Sequence, residues 1–519
     1  MSYTTAFSAL SAAAAALVLL WISRPRRTYG IGNIAGPPSP SWIFGNMLQL
    51  LRSPQYGECE FEWRKMYGPI YRIKGCLGQN RLMVSDPIAL QYILNSPSFF
   101  FSTTLQAMLL WLLGPRSVIL RTGDDHRRLR ASLNPAFTAS AVRRYKPVFV
   151  KVARSITEQL NNSGTLPVDM CPLLSDATLK SVSEVVFGCP VEDLGADFIE
   201  NNTQILHLSS SQSAGQILFD TVAGRLPRWI LHQAIHLPTK TFGALRAQLK
   251  FADREGWRIV RERTEAAKLG LETEGDLYSV LVNSVGSDGI SLSEEDIAGQ
   301  TSLIMTAGQD TAGNTLTFAL IELAKNPQLQ DSLRAEIHAA LGNDHENIGY
   351  DSMPLLNAFI KEVLRVYPAE PLSERVASED VVLPLSGSIA TTAGKQINQI
   401  LIRKGDILTI AVASYQRMET RWGDDANTFR PGRWLDGTVQ RGEAIGPYAN
   451  LLSFHGGPHS CLGWRFAILE IQVFLCELVG KFSFSLPADH SIEVRVATTL
   501  IPTDSQGKKC ALLSVKHIL

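Results

Sequence analysis

The sequence predicts a mainly α-helical domain with small β-sheets, tethered by an apolar N-terminal segment. Three observations lead there. Residues Ser2 to Ser23 carry no charged side chain, and Ala6 to Ile22 is almost wholly apolar. From about residue 95 to Asn326 the apolar spacing is predominantly helical, broken at prolines such as Pro135, Pro190, Pro227 and Pro238. Strand-like runs gather in only two short patches.

The apolar start is long enough for a membrane span, which needs about 20 such residues. Arg24, Arg26 and Arg27 follow at once, which by the positive-inside tendency leaves the remainder in the cytosol. A cleaved signal peptide is the rival reading; it would want a basic stretch before the apolar run, and none is present. Residues 1–23 are therefore expected to anchor, residues 24–41 to form a basic, Pro-rich linker, and residues 42–519 to form one large domain. Gly30, Gly32 and Ala35 match a dinucleotide-binding spacing, but no strand precedes them and prolines stand where the helix should begin.

The first β patch comprises Ile70 to Lys74 and Arg81 to Val84, a hairpin by its glycines Gly75 and Gly78. Asp86-Pro87 reads as the N-cap and first turn of a helix to about Leu94. The second patch spans about Ile400 to Ile410 with Lys404-Gly405 as its turn. Ser293-Glu294-Glu295-Asp296 resembles a capping box. The next proline is Pro327, so one continuous helix over 294–325 is predicted. Between Ile297 and Ile321 its only charged side chain is Asp310, a costly residue in a buried helix unless paired or used. Asp310 could have a distant salt-bridge partner, and Thr311 could bond back to the carbonyl of Ala307. The apolar stretches Met108 to Leu113 and Ile217 to Leu231 fit core packing or a substrate entrance.

Composition excludes some classes. Lysine plus arginine equals aspartate plus glutamate at 49 each, so nothing points to nucleic acid. Seven cysteines without CxxC pairs suit a reducing compartment, not a disulfide scaffold. Sequons at Asn161 and Asn201 are expected by chance.

One cysteine differs from the rest. In Ser453-Phe454-His455-Gly456-Gly457-Pro458-His459-Ser460-Cys461-Leu462-Gly463 a glycine-rich turn delivers Cys461 to an apolar helical stretch from Phe466 to Val479. A helix N-terminus favours the thiolate, the form that binds metal, and the glycines would let a flat ligand approach the backbone. A lone cysteine is more often a buried structural residue. Here, however, Phe454, Gly457, Cys461 and Gly463, continued by Ala467 and Glu470, follow the order F-x-x-G-x-x-x-C-x-G. The stretch resembles the haem-ligand loop of the cytochromes P-450, the haem-thiolate monooxygenases, and by that resemblance the chain is identified as a member of that superfamily, of the membrane-anchored, fungal-like type.

Other segments extend the resemblance. Ala307-Gly308-Gln309-Asp310-Thr311 is similar to the A-G-x-D-T signature of the family's long central helix I, with Ala312 where many members carry a second hydroxyl. Glu362 and Arg365 match the E-x-x-R pair of helix K, and Phe429-Arg430-Pro431-Gly432-Arg433-Trp434 the F-x-P-x-R-[FW] motif. His126 and Arg130, four apart and followed by Asn134-Pro135-Ala136-Phe137, resemble the propionate-binding pair of helix C, and Arg375 holds a matching place after helix K. Taken alone, these are a solvated ion pair and a solvated basic helix.

The resemblance implies a P-450 fold with haem b between helices I and L. It gives Cys461 as axial iron ligand and Asp310 with Thr311 as proton-delivering pair. Cofactor contacts would come from His126, Arg130, Ala307, Arg375, Phe454, Gly457, His459 and Gly463, and a structural network from Glu362, Arg365 and Arg433. His459 stands where the family most often has arginine, which makes its propionate pairing weaker or pH-dependent. It further implies O2 and NADPH-derived electrons as co-substrates. A separate NADPH–cytochrome P-450 reductase would supply them, with cytochrome b5 as an optional second donor. Arg127 and Arg128 are candidates for docking that donor. The implied setting is the endoplasmic reticulum membrane, with a lipophilic substrate, a terpenoid or other secondary metabolite. Fatty acids, xenobiotics, an electron-independent isomerase or dehydratase, and a non-catalytic haem carrier stay open.

Overall fold

The computed structural model describes residues 30–518 apart from 163–165, 210–211, 272–274, 284–292, 342–348, 440–443 and 489. The expected anchor lies outside the described residues. Among them, no helix is long and apolar enough to cross a membrane. Of the Pro-rich segment, residues 30–37 lie along the domain. Ile31 and Ile34 are buried, and the Ala35 carbonyl accepts from the Arg72 N–H at 2.9 Å.

The predicted hairpin forms from β1 (Ile70–Lys74) and β2 (Asn80–Val84), paired antiparallel. Asp86 caps α1 (Pro87–Asn95), its carboxylate accepting from the Ala89 N–H. Then come β3 (Phe99–Phe100), α2 (Thr103–Leu113), α3 (Gly123–Leu133), α4 (Ala139–Asn162), α5 (Met170–Phe187), α6 (Ala214–Ala223), α7 (Arg228–Gln233) and α8 (Lys240–Lys268). The apolar stretch from Ile217 to Leu231 is thus divided between α6 and α7, with Pro227 capping the second.

The long helix departs from expectation. It is two pieces, α9 (Glu294–Ala298) and α10 (Thr301–Lys325), separated at Gly299 and Gln300. Ser293 caps α9 by accepting from the Asp296 N–H. The break has an identifiable cause. The Gln300 side chain holds the 116–118 segment, donating to the Arg116 carbonyl at 2.9 Å and accepting from the Val118 N–H at 2.9 Å. Arg116 also packs where a side chain at Gly299 would stand, 2.6 Å from a Cβ built there. Thr301 restarts the helix with its hydroxyl 2.7 Å from the Ala298 carbonyl and 2.5 Å from the Tyr278 hydroxyl.

After α11 (Pro354–Val366) come β4 (Leu372–Ala377), β5 (Val381–Ala390), β6 (Gln396–Ile402) and β7 (Ile407–Ala411). The second β patch turns at Lys404-Gly405 as expected, and its two strands join different sheets. β6 pairs with β5, whereas β7 enters a five-stranded sheet of order β1-β2-β7-β4-β3. β7 is buried at all five positions, the pattern of an interior strand, while β6 alternates at an exposed rim. The chain closes its core with α12 (Trp464–Lys481), buried alongside α4 and α10.

Small residues set how closely the central helices approach. A Cβ at Gly308 would lie 2.6 Å from Val182 of α5, and one at Gly313 3.2 Å from the Ser175 backbone. The Thr178 hydroxyl reaches across to the Gln309 carbonyl at 2.9 Å. On α8, a Cβ at Gly256 would sit 2.4 Å from the Thr301 hydroxyl and 2.7 Å from the Ala298 carbonyl. Replacing a mid-helix glycine by alanine ordinarily gains about 1 kcal/mol. Here backbone stands in the way, so Gly256→Ala is expected to destabilise by about 1–3 kcal/mol. Denaturant unfolding checks this; an unchanged or raised midpoint would mean that α8 is not seated on the break.

Candidate active site

One cavity of about 940 Å³ runs through the protein between α10 and the 453–463 loop. That lies at the upper end of small-molecule sites, roughly 300–1,000 Å³. α10 contributes Ile304, Ala307, Gly308, Thr311 and Thr315, a stripe at helical spacing. Cys461 lines the facing wall.

The cysteine loop is held by its backbone. The Cys461 N–H donates to the Phe454 carbonyl at 2.8 Å, and the Ser460 N–H to the Gly457 carbonyl at 3.1 Å. Gly463 lines the cavity, whereas Gly456 and Gly457 have another purpose. A Cβ at Gly456 would lie 2.3 Å from the Ile445 carbonyl, and one at Gly457, whose φ is +66°, 2.3 Å from the Leu94 carbonyl. They seat the loop on the protein's own backbone, and Gly457 does not line the cavity.

Cys461 is exposed to the cavity yet deep in the protein. Burial raises its pKa, and the Gly463 N–H and the Arg130 guanidinium recover only part. α12 begins three residues later, at Trp464, so its terminus is set back from the sulfur, and a positive partner there, as a metal is, favours the thiolate.

The other predicted residues fall into three groups. His126, Arg130, Ala307, Arg375, Phe454, His459 and Gly463 all line the cavity. His126 is buried and stacks on His459 at 3.9 Å between ring centroids. Arg130 donates to the Ser460 hydroxyl at 3.1 Å. Arg375 lies over the Phe101 ring at 4.6 Å and donates to the Ser373 hydroxyl at 2.7 Å. Burial, then the charges of His126, Arg375 and Arg130, hold His459 down to about 4, so it is a neutral ring at physiological pH.

Asp310 and Thr311 diverge. Thr311 lines the cavity, its hydroxyl donating to the Ala307 carbonyl at 2.8 Å. Asp310 points away from the lining. Lys509 pairs with it at 2.6 Å, and the Asn314 amide donates to it at 3.3 Å.

The third group lies behind the loop. Arg365 grips Glu362 through two bonds of 2.8 and 2.9 Å, and Arg433 adds a third at 3.0 Å. All three side chains are at most 1% exposed. Burial alone would raise the Glu362 carboxyl, but the two guanidiniums hold it below its ordinary value. Gln416 donates to the Leu364 and Arg365 carbonyls, and the Ser453 hydroxyl lies 3.0 Å from Gln416 Oε1. The network thus reaches the first residue of the loop.

Two residues carry more than their sequence suggested. His455, at φ +55°, pairs with Glu370 at 2.9 Å on the cavity wall. Glu470 is fully buried with neither oxygen hydrogen-bonded. Burial pushes it up to about 8; the nearby Ser181 hydroxyl offsets part of this but is not in hydrogen-bonding geometry. Arg127 and Arg128 are exposed, but each stands one turn from an acid of its own helix, Asp124 at 2.7 Å and Asp125 at 4.0 Å.

These features fit a particular kind of ligand. Among the described residues no three His, Cys, Asp or Glu side chains converge on a bare metal ion. A single thiol such as Cys461 suits a metal that arrives with its other ligands attached. Arg130 and Arg375 face the cavity, and among the described residues neither makes a salt bridge; burial lowers both. Their charge suits an anionic group with an apolar body, between Ala307, Phe454 and Phe466. Fold and site together define a haem-thiolate protein.

Comparison with known proteins gives the family. A family model described as Cytochrome P450 matches residues 35–507, and the chain belongs to that family. It is 31% identical over 499 residues to cytochrome P450 monooxygenase 219 of Postia placenta, covering 91% of this chain and 90% of that one. It is 29% identical over 532 residues to cytochrome P450 monooxygenase 81 of the same fungus, covering 97% and 96%. Cytochrome P450 monooxygenase claP of Ampulloclitocybe clavipes is 29% identical over 500 residues, covering 91% and 90%. The chain is accordingly an oxidoreductase of the P450 monooxygenase family.

Two outcomes check the site. Arg433→Ala leaves Glu362 buried with fewer partners and is expected to cost about 3–5 kcal/mol, read as a lower denaturant midpoint and less haem per purified chain. Glu470 titrates in the opposite sense. A carboxyl raised by folding takes up a proton as the chain folds, so stability falls as pH climbs from the ordinary 4.5 through about 8. Glu470→Gln should flatten that slope; identical pH–stability curves would contradict the burial argument.

Proposed function

We propose that this chain holds haem b through Cys461 and inserts one oxygen atom of O2 into a C–H bond of a lipophilic substrate, a terpenoid or other secondary metabolite. Electrons come from NADPH through a separate reductase. The observation that carries this reading is the placement of the Cys461 sulfur and the Thr311 hydroxyl on facing walls of one largely apolar cavity. When bound, the haem supplies the redox chemistry of dioxygen activation, tuned by its thiolate ligand.

The remaining work falls to this chain's side chains. Arg130 and Arg375 offer charge-assisted bonds to carboxylates at the haem edge. His126 and His459, stacked and for His459 neutral, contribute contact and a neutral hydrogen bond where an arginine would give an ion pair. The apolar lining excludes water and orients a lipophilic substrate. Thr311 Oγ1 faces the cavity and can hold a proton there once it turns from the Ala307 carbonyl. Asp310, tied to Lys509, stands behind it as the charged end of the pair.

Residues 1–23 act as a single-pass anchor in the endoplasmic reticulum membrane, with the domain on the cytosolic side. Trp42, Phe219 and Trp229, each about two-thirds accessible, are large apolar side chains available to lipid and support this reading.

Cys461→Ala should abolish the red-shifted carbon monoxide band of the reduced protein, and a variant that kept it would remove the assignment. Thr311→Ala should retain that band while product formed per NADPH falls by about tenfold or more, the difference appearing as peroxide. Unchanged coupling would count against proton delivery at Thr311.

A further inference from the structure

The cavity carries a charged side chain that neither the haem site nor the proton pair uses. Asp220 lies on α6, whose N-terminus is fixed by Ser213 accepting from the Gln216 N–H. Ile217 secures the helix to the β1–β2 hairpin, being buried with Met47, Cys76 and Met83. One turn later Asp220 enters the cavity lining together with Gln212 and Gln216. Met47, Leu51 and Leu372 supply apolar lining to the same cavity, and Arg81 and Glu374 are its other charged residues near Asp220.

Its charge is not neutralised by the protein. Arg81 of β2, whose charge acts on Asp220, is already paired with Glu374 of β4. Among the described residues Asp220 makes no ion pair, and its hydrogen-bond partner is the Gln212 side chain. Burial and the neighbouring Glu374 push it up to about 6, against the pull of Gln212 and Arg81. At neutral pH it is a half-desolvated carboxylate with acceptor positions left over. Such a group gains from a hydrogen-bond donor, is left unpaired by a hydrocarbon, and repels an anion.

We propose that Asp220, flanked by Gln212 and Gln216, forms a subsite that accepts a hydrogen bond from a hydroxyl group of an otherwise apolar substrate. The substrate class is a neutral lipophilic alcohol, and the paired charges of Arg81 and Glu374 close the subsite against a free carboxylate. This rests on the lipophilic-substrate reading above and sharpens it: the reaction that supplies this substrate leaves it already hydroxylated, as hydrolysis of an allylic diphosphate or an earlier oxidation does.

The test uses haem-loaded, full-length protein at pH 7.5 and two scaffolds, farnesyl and dodecyl, each as alcohol, methyl ether and carboxylic acid. Binding is followed by equilibrium dialysis and by the Soret shift. The alcohol should bind about tenfold tighter than its ether, and tighter than the acid by at least as much. Asp220→Leu should bring alcohol and ether to within about twofold, chiefly by raising the ether's affinity because no carboxylate is then left unpaired against it, and Asp220→Asn should strengthen binding of the acid about tenfold. Alcohol and ether of equal affinity in the wild type, or a preference that survives Asp220→Leu, would overturn the subsite while leaving the lipophilic reading intact. Ranking on dodecyl alone would support the subsite and remove the terpenoid assignment. No saturable binding of any of the six would sink both.

Discussion

The buried carboxylate of Glu362 is the point on which the rest of the site depends. It accepts from Arg365 twice, from Arg433 once, from the Trp434 indole at 2.9 Å and from the Arg430 backbone at 2.8 Å. Those donors come from α11 and from the turn before residue 435, segments some 70 residues apart in sequence. A carboxylate with no access to water can exist only if its lone pairs are filled, so each donor fixes a piece of backbone. Arg365 spends its remaining N–H groups on the carbonyls of Gln416, Ala426 and Thr428. From Gln416 the constraint passes to Ser453, and from there the loop carries it to Cys461. Rigid placement of the sulfur is therefore a consequence of satisfying one buried charge.

What the sequence made legible follows from how local each signal is. The cysteine loop, the Asp86 cap and the β1–β2 hairpin are specified by neighbours within a few residues, and each was readable. Asp310 was readable as an anomaly, a lone charge in an apolar helix, but not as a pair, because Lys509 lies 199 residues further on. The break at Gly299 depends on Arg116 and Val118, which no helical periodicity near 299 encodes. The same holds for the glycines of the loop. Their spacing was visible, yet the Leu94 and Ile445 carbonyls that demand them come from elsewhere in the chain. Ile400 to Ile410 was readable as strand, turn and strand but not as parts of two sheets, because a turn says where the chain bends, not which sheet each strand joins.

α10 shows how one helix can answer to two neighbours. Toward α5 it presents Gly308 and Gly313, and the two backbones come close enough for Thr178 to bond to the Gln309 carbonyl. Gln309 itself turns to that side, accepting from Asn202 at 2.9 Å. Toward the cavity it presents Ala307, Thr311 and Thr315, and toward the C-terminal segment Asp310 and Asn314, the latter also bonded to Thr499 at 3.0 Å. Three faces at 100° per residue leave little freedom for substitution. Thr311 is available to the cavity because its neighbours are committed to packing on the other sides.

Charge divides the cavity as clearly as shape does. Around Cys461 stand Arg130 and Arg375, cations whose partners are hydroxyls and carbonyls. At the α6 end stand Asp220 and the neutralised Arg81–Glu374 pair. An anionic, planar prosthetic group gains at the first end and loses at the second, because each half-buried charge acts through a low effective dielectric. A neutral ligand with a donor group has the reverse preference. The charges that line the cavity thus favour an anion beside Arg130 and Arg375 and disfavour one beside Asp220.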